Sequence, residues 1–393
     1  MVKKVFVPII IALVAGILIG YRAGRVAPTK EIWEVDTAII PIKIGALLPL
    51  TGTFAEFGED TKNGLEIARV EIQARYGIAF DIKYEDSAAD PKVSVPAASK
   101  LIDIDKVGVV IGGPGSSANL AAAPLFEENK TVFIAVSATP KLNDAGEYIF
   151  KVHPDVDGEV LRMSAFMYTQ GYRRVAILYD AASETQTTAK NLFAKQFTEK
   201  EGVVVLTEGY DSKTVTDFRT TMTKVKGADA DAVYLLAIEK VAGLAVRQAR
   251  EVGLTQDIFG WSPFESGEFF ASAGESAEGV IITAQPFSCK GTEIMQAYCE
   301  AYRAKYGDRK PIQFGAHAYD ILKIIAKTIS DNELIELASD EAKDALRTAL
   351  LATKGYQGAS GDLTFDEKGN VRDKEFVFRV VKNGEFIEYK KEQ

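Results

Sequence analysis

A chain of 393 residues with 47% hydrophobic and 26% charged residues has the composition of an ordinary globular protein, and its length exceeds a single ordinary core, so two lobes are expected. Its 46 Lys and Arg stand against 55 Asp and Glu, a net charge of −9 spread without long blocks, which excludes the clustered basic face a nucleic-acid partner needs. Two cysteines with no nearby histidine cannot build a zinc site.

The first stretch, "VFVPIIIALVAGILIGY" from Val5 to Tyr21, carries no charge between Lys4 and Arg22. That length lies at the lower limit for a bilayer span and the upper limit for a signal-peptide core. Candidate cleavage points place Arg22 or Arg25 three residues before the cut, and no Cys is present for lipid attachment. Residues 1–21 are therefore read as a membrane anchor that is retained, one N-terminal transmembrane helix, with the signal segment as the alternative. Basic residues flank it on both sides, so its orientation is not legible. Residues 22–41, with Pro28 and Pro41 and no sustained period, read as a tether.

From Ile42 the chain alternates strands and helices. "IKIGALLPL", a helix near 60–76, "IAFDIKYED", a helix near 91–104, "VGVVIG", a helix near 117–128 and "TVFIAV" follow one another, the rhythm of parallel β-α-β units. A second series begins after "IFKVHPD": "RRVAILYD", a helix near 185–201, "VVVLTEGY", a helix near 214–226, "DAVYLLAI", a helix near 240–252, "DIFGW" and "GVIITAQPF". The shared grammar predicts two similar, doubly wound α/β lobes. Helices near 292–306, 313–330 and 338–353 have no strand between them and are expected to complete the first lobe. "GDLTF" and the hairpin "KEFVFRVVKNGEFIEYK", turning at Asn383-Gly384, close the chain. Cys289 and Cys299, ten apart, are either a disulfide or two free thiols.

The parts of an enzyme are missing. His153, beside Pro154 at the change of series, and His317, in "FGAHAYD", lie in no nucleophile or metal pattern and are read as structural. No G-x-S-x-G elbow, H-E-x-x-H or Walker A is present. No catalysis and no cofactor are therefore expected. The glycine-rich "IGGPGSSANL", residues 111–120, follows the third strand and contains Pro114, unlike a dinucleotide fingerprint. It feeds a helix whose first turn offers N–H groups and the hydroxyls of Ser116 and Ser117, which suits a carboxylate. "VSATP" ends the next strand and brings Ser137 and Thr139 to the same rim, where doubly wound sheets bind ligands. Helix capping and turn closure by these residues stand as the alternative.

"LLPLTGTFAEFGEDTKNGLEIA", "YEDSAADP", "IGGPGSSAN", "SATP", "VRQAREVGL", "GESAEG" and "LTFDEKGNV", in that order and spacing, resemble the leucine/isoleucine/valine-binding proteins, extracytoplasmic receptors of ABC importers. The resemblance runs from Ile42 to the C-terminus. It implies the type I periplasmic-binding-protein fold, two Rossmann-like lobes joined by crossovers near 150–154, 282–288 and 366–374. Residues 42–152 and 285–368 then form the first lobe, and 153–284 and 369–393 the second.

In the first lobe the resemblance makes Ser116 the serine on the ligand carboxylate. It makes Ser137 the residue whose carbonyl accepts from the ligand amine, Thr139 the threonine that touches both groups, and Phe57 the aromatic lining the pocket. The second lobe departs from the family. Glu184 stands nearest the position of an aromatic residue, Ile238 and then Glu239 replace a tyrosine, and Ser262 replaces an acidic residue, with Glu265 three residues on. Asp155, near the first crossover, joins Glu184, Glu239 and Glu265 as a candidate partner for a ligand ammonium. The resemblance thus implies a membrane-tethered extracytoplasmic protein that captures a small carboxylate-bearing ligand, an amino acid of the branched-chain type or an analogue, for the permease subunits of an ABC importer. A ligand-sensing domain for a signalling partner, or a carrier of an amide, a urea-like compound or a non-amino organic acid, remain the alternatives.

Overall fold

The computed structural model describes residues 41–334, 336–371 and 374–390; the expected anchor, and the tether up to residue 40, lie outside the described residues. Among the described residues no helix is long and apolar enough to cross a membrane.

The first series folds as β1 (Ile42–Leu48), α1 (Ala55–Tyr76), β2 (Phe80–Asp86), α2 (Pro91–Asp103), β3 (Val109–Gly112), α3 (Ser116–Glu128), β4 (Val132–Ala135) and β5 (Ile149–Lys151). Its sheet is parallel, in the order β2-β1-β3-β4-β5. Every residue of β3 and β4 is buried, as expected where helices cover both faces of a parallel sheet and the strands become unbroken apolar runs.

The second series gives α4 (Val156–Thr169), β6 (Arg174–Asp180), α5 (Glu184–Glu199), β7 (Val203–Tyr210), α6 (Arg219–Gly227), β8 (Ala232–Leu236), α7 (Glu239–Glu251), β9 (Asp257–Gly260), α8 (Gly267–Ala273) and β10 (Ile281–Ala284). The chain ends through α9 (Glu293–Tyr306), α10 (Gln313–Asp331), α11 (Asp340–Leu351), β11 (Tyr356–Gly358), β12 (Gly361–Leu363), β13 (Val377–Lys382) and β14 (Glu385–Glu388). The second sheet runs β14-β13-β10-β9-β8-β6-β7, so its parallel part, read from β7 to β10, repeats the order of the first sheet. β13 adds antiparallel to β10, and β14 to β13 through the Asn383-Gly384 turn. Two of these helices have no counterpart in the sequence reading. α4 buries Val156, Val160, Met163 and Met167 on one stripe, and α8 is a single short piece after β9. α6 begins at Arg219 rather than near 214, because residues 211–214 close a turn first.

The late helices return to the first lobe through a close crossing of α1 and α10. A Cβ on Gly64 would lie 2.0 Å from the Gly315 carbonyl oxygen, so only glycine permits this approach. Asp60 of α1 seals the contact by accepting from the backbone N–H groups of Ile312 at 3.2 Å and Gly315 at 2.5 Å, which satisfies donors at the start of α10. Burial pushes its carboxyl up to about 7 against these hydrogen bonds. Cys289 and Cys299 are joined as a disulfide, their Cα atoms 5.6 Å apart.

Three segments connect the lobes and are tied side by side. Lys151 donates its N–H to Gly369 and receives the N–H of Val371, so residues 369–371 still pair with the first lobe. Arg379 donates to the carbonyls of Gln285 at 3.2 Å and Phe287 at 2.6 Å. The Gln285 amide bridges the two histidines, its Nε2 2.7 Å from His153 Nε2 and its Oε1 3.0 Å from His317 Nε2. The His153 Nδ1 faces the Pro154 carbonyl at 2.9 Å. Burial pushes His153 down to about 4 and His317 well below its ordinary value, so both rings serve as neutral links between these segments.

Candidate functional site

The rim forms where β3 and β4 end. Gly115, at φ +125°, makes the turn that starts α3, a conformation L-residues avoid, and it leaves Ser116 as the first helical residue. One strand over, Ser137 donates its hydroxyl to the Ser116 hydroxyl at 2.9 Å. Thr139 has two engagements. Its hydroxyl accepts from the Lys141 N–H at 3.3 Å, capping a short turn, and donates to Glu184 of the second lobe at 2.7 Å. Ser137 and Thr139 are buried.

Glu184 opens α5 and is bound from both lobes. Lys141 reaches its Oε1 at 3.0 Å and the Thr188 hydroxyl at 2.9 Å. Burial raises its pKa, but the hydrogen bonds from Thr139, Lys141 and Thr188 prevail and hold its carboxyl below the usual range. Asp155 lies close by but is engaged by Lys151 and by the Asn143 amide at 2.9 Å. Two buried polar atoms beside this rim were not singled out in the sequence, Asp157 Oδ1 and Thr185 Oγ1, and neither has a hydrogen-bond partner among the described residues. Burial, then Asp155, raises the Asp157 carboxyl. Thr185 was legible only as the neighbour of Glu184.

The other candidates lie apart. Phe57 turns its ring into the first-lobe core, 4.5 Å from Phe314 and 6.1 Å from Phe54 between ring centroids. Its N–H points the other way and donates to Glu239 of the second lobe at 3.2 Å. Ile238, just before α7, packs in the second core. Ser262 is buried and turned inward: its N–H and hydroxyl meet the Glu159 carboxylate at 2.6 Å and 3.3 Å. Glu265 pairs with Arg379. Of the four acids considered for an ammonium, Glu184 and Glu239 thus reach across to the first lobe, Glu184 with Lys141 as its cation, whereas Asp155 and Glu265 are paired with Lys151 and Arg379. On the Glu239 side the seam between lobes opens as a groove of about 1710 Å³, lined by Glu56, Asp90, Lys213, Glu239 and Glu268 among others. The Ser116, Ser137 and Thr139 rim lies off this groove. Lys213 and Asp90 pair across it.

Chemically, the rim offers hydroxyl donors and the first-turn N–H groups of α3 to an anion, with a carboxylate, Glu184, facing them from the other lobe. No histidine, nucleophile or metal-ligand set converges there; among the described residues no group of three His, Cys, Asp or Glu could hold a metal.

The family described as periplasmic binding protein matches residues 41–385. The leucine-, isoleucine-, valine-, threonine- and alanine-binding protein of Pseudomonas aeruginosa is 28% identical over 343 residues, 86% of this chain and 88% of that protein. Among solved structures, a leucine-binding protein from Thermotoga maritima superposes with a TM-score of 0.80 at 26% identity, covering 89% of this chain and 98% of the other. A branched-chain amino acid transporter substrate-binding protein from Streptococcus pneumoniae, in complex with isoleucine, gives 0.78 at 26% identity, covering 88% of this chain and 97% of the other.

Proposed function

Because the chain belongs to the periplasmic binding protein family, we propose that it is an extracytoplasmic solute-binding protein which captures a branched-chain amino acid, or a close analogue, between its lobes and presents it to the permease of an ABC importer. It catalyses no reaction. The observation that carries this reading is the Thr139 to Glu184 contact at 2.7 Å. In this reading the Thr139 side of that contact is the wall that takes a ligand carboxylate and Glu184 is the facing wall that takes a ligand ammonium. A zwitterion needs both, since a charge buried without a partner costs several kcal/mol. Ser116 and the first-turn N–H groups of α3 hold the carboxylate end, Thr139 touches both ends, the Ser137 carbonyl accepts from the ammonium, and Glu184 exchanges its Thr139 hydrogen bond for the ammonium when ligand enters. Residues 1–21 anchor the protein to the cell membrane and residues 22–41 tether the lobes near the permease.

The relatives named for leucine, isoleucine and valine support this reading. A thermal-shift series of leucine, isoleucine, valine, 4-methyl-2-oxovalerate and isobutyramide tests it. The branched-chain amino acids should stabilise the protein by about 2.7 kcal/mol at a hundred times Kd. Stabilisation by the keto acid or the amide, with no response to the amino acids, would overturn it.

A further inference from the structure

The lobes are joined at a second place, on the Glu239 side of the seam. Glu239, first residue of α7 in the second lobe, reaches into the first turn of α1 and accepts the Phe57 N–H at 3.2 Å. Glu56, the residue before Phe57, reaches the opposite way. Its two oxygens accept from the N–H groups of Gly267 at 2.7 Å and Glu268 at 3.0 Å, at the start of α8. Each lobe thus supplies a carboxylate to unpaired backbone donors of the other. α7 and α8 act as one body, because a Cβ on Gly243 of α7 would lie 2.4 Å from the Phe269 carbonyl oxygen of α8. A second observation marks the spot: Glu239 has φ +41°, a left-handed backbone uncommon outside glycine and kept only where the surroundings hold it.

We infer that Glu56 and Glu239 form a reciprocal latch that holds the lobes closed without touching the ligand, and so sets how long the ligand stays bound. The latch exists only while α1 meets α7 and α8, so it favours the closed form alone and shifts the open-to-closed ratio. Ligand enters the open form and leaves after opening; loss of the latch therefore speeds release, and speeds capture only by the open fraction it adds to the ligand-free protein. The two halves differ chemically. Burial, then Glu56, pushes Glu239 up to about 9, so it acts as a neutral acid whose Oε1 accepts the Phe57 N–H, and a glutamine reproduces it. Glu56 uses both oxygens as acceptors, and the NH2 of a glutamine would face one of the two N–H donors.

Spin labels at Ile104→Cys and Val203→Cys, exposed sites on the two lobes, report the interlobe distance of the full chain; the native cysteines are disulfide-bonded and remain unlabelled. In ligand-free protein E56A, E56Q and E239A should lengthen this distance, and E239Q should match wild type. Stopped-flow with leucine should show release about 3- to 10-fold faster in E56A, E56Q and E239A, the range for losing a modest hydrogen bond, and capture no slower than in wild type. Wild-type distances and release rates in both alanine variants would overturn the latch; equal loss in E239Q and E239A would overturn the neutral form of Glu239 and assign the latch to its carboxylate. The link to ligand release rests on the carrier reading, and the two fail separately. If wild type ignores leucine while its interlobe distance still depends on Glu56 and Glu239, the carrier reading falls and the latch stands.

Discussion

Glu159→Gln should make the protein more stable at alkaline pH and change little in acid. Glu159 lies on α4, fully enclosed in the second lobe, where it accepts the Ser262 N–H at 2.6 Å, the Thr283 hydroxyl at 2.7 Å and the Ser262 hydroxyl at 3.3 Å. Burial outweighs those hydrogen bonds and pushes its pKa from 4.5 up to about 7. A carboxyl whose folded pKa is raised contributes stability that is full below its unfolded pKa and is lost as pH rises through the folded one. Glutamine keeps the same shape. Its oxygen takes the Ser262 and Thr283 donors, its NH2 replaces the acid O–H toward the Ser262 hydroxyl, and it never ionises. The difference in unfolding free energy between variant and wild type should therefore swing in the variant's favour by about 3 kcal/mol from pH 4 to pH 9, at ~1.4 kcal/mol per pKa unit. Urea titrations at pH 4, 5.5, 7 and 8.5 read this directly, and other titrating groups cancel in the difference. A difference constant with pH would refute the reasoning: it would mean that Glu159 stays ionised in the fold and that Ser262 is held by a charge.

At the rim, S116A and T139A should each weaken leucine binding by about 1.5–3 kcal/mol, the range for hydrogen bonds to charged groups, with urea stability of the ligand-free protein nearly unchanged; calorimetry checks the first and denaturation the second. E184Q should weaken leucine by a similar amount yet leave any binding of its keto-acid analogue nearly intact, because only the amino acid brings an ammonium to that wall. Equal losses for both ligands would place Glu184 outside recognition.

The alternation of strands and helices was legible because buried parallel strands are continuous apolar runs, such as "VGVVIG" and "DAVYLLAI". α4 was legible in principle, since Val156, Val160, Met163 and Met167 repeat at helical spacing, but the "HPD" before it reads as a break. The return of the late helices was argued from the missing strands. Its physical cause, the Gly64 to Gly315 approach, joins residues too distant in the chain for any local pattern to reveal. The first-lobe rim was visible because its hydroxyls follow directly on strand ends. The second wall was not. "AASETQTT" and "AIEK" name acids without saying which of them crosses the seam, and Ser262 is turned inward by Glu159, a residue 103 positions away in the chain.

A crystal structure of the chain grown with leucine tests the central claim most directly. The account predicts leucine enclosed between the lobes, its carboxylate on the Ser116 hydroxyl and the first-turn N–H groups of α3, its ammonium between Thr139, the Ser137 carbonyl and Glu184. Leucine bound elsewhere on the surface, or a closed cleft from which leucine is absent at millimolar concentration, would contradict it.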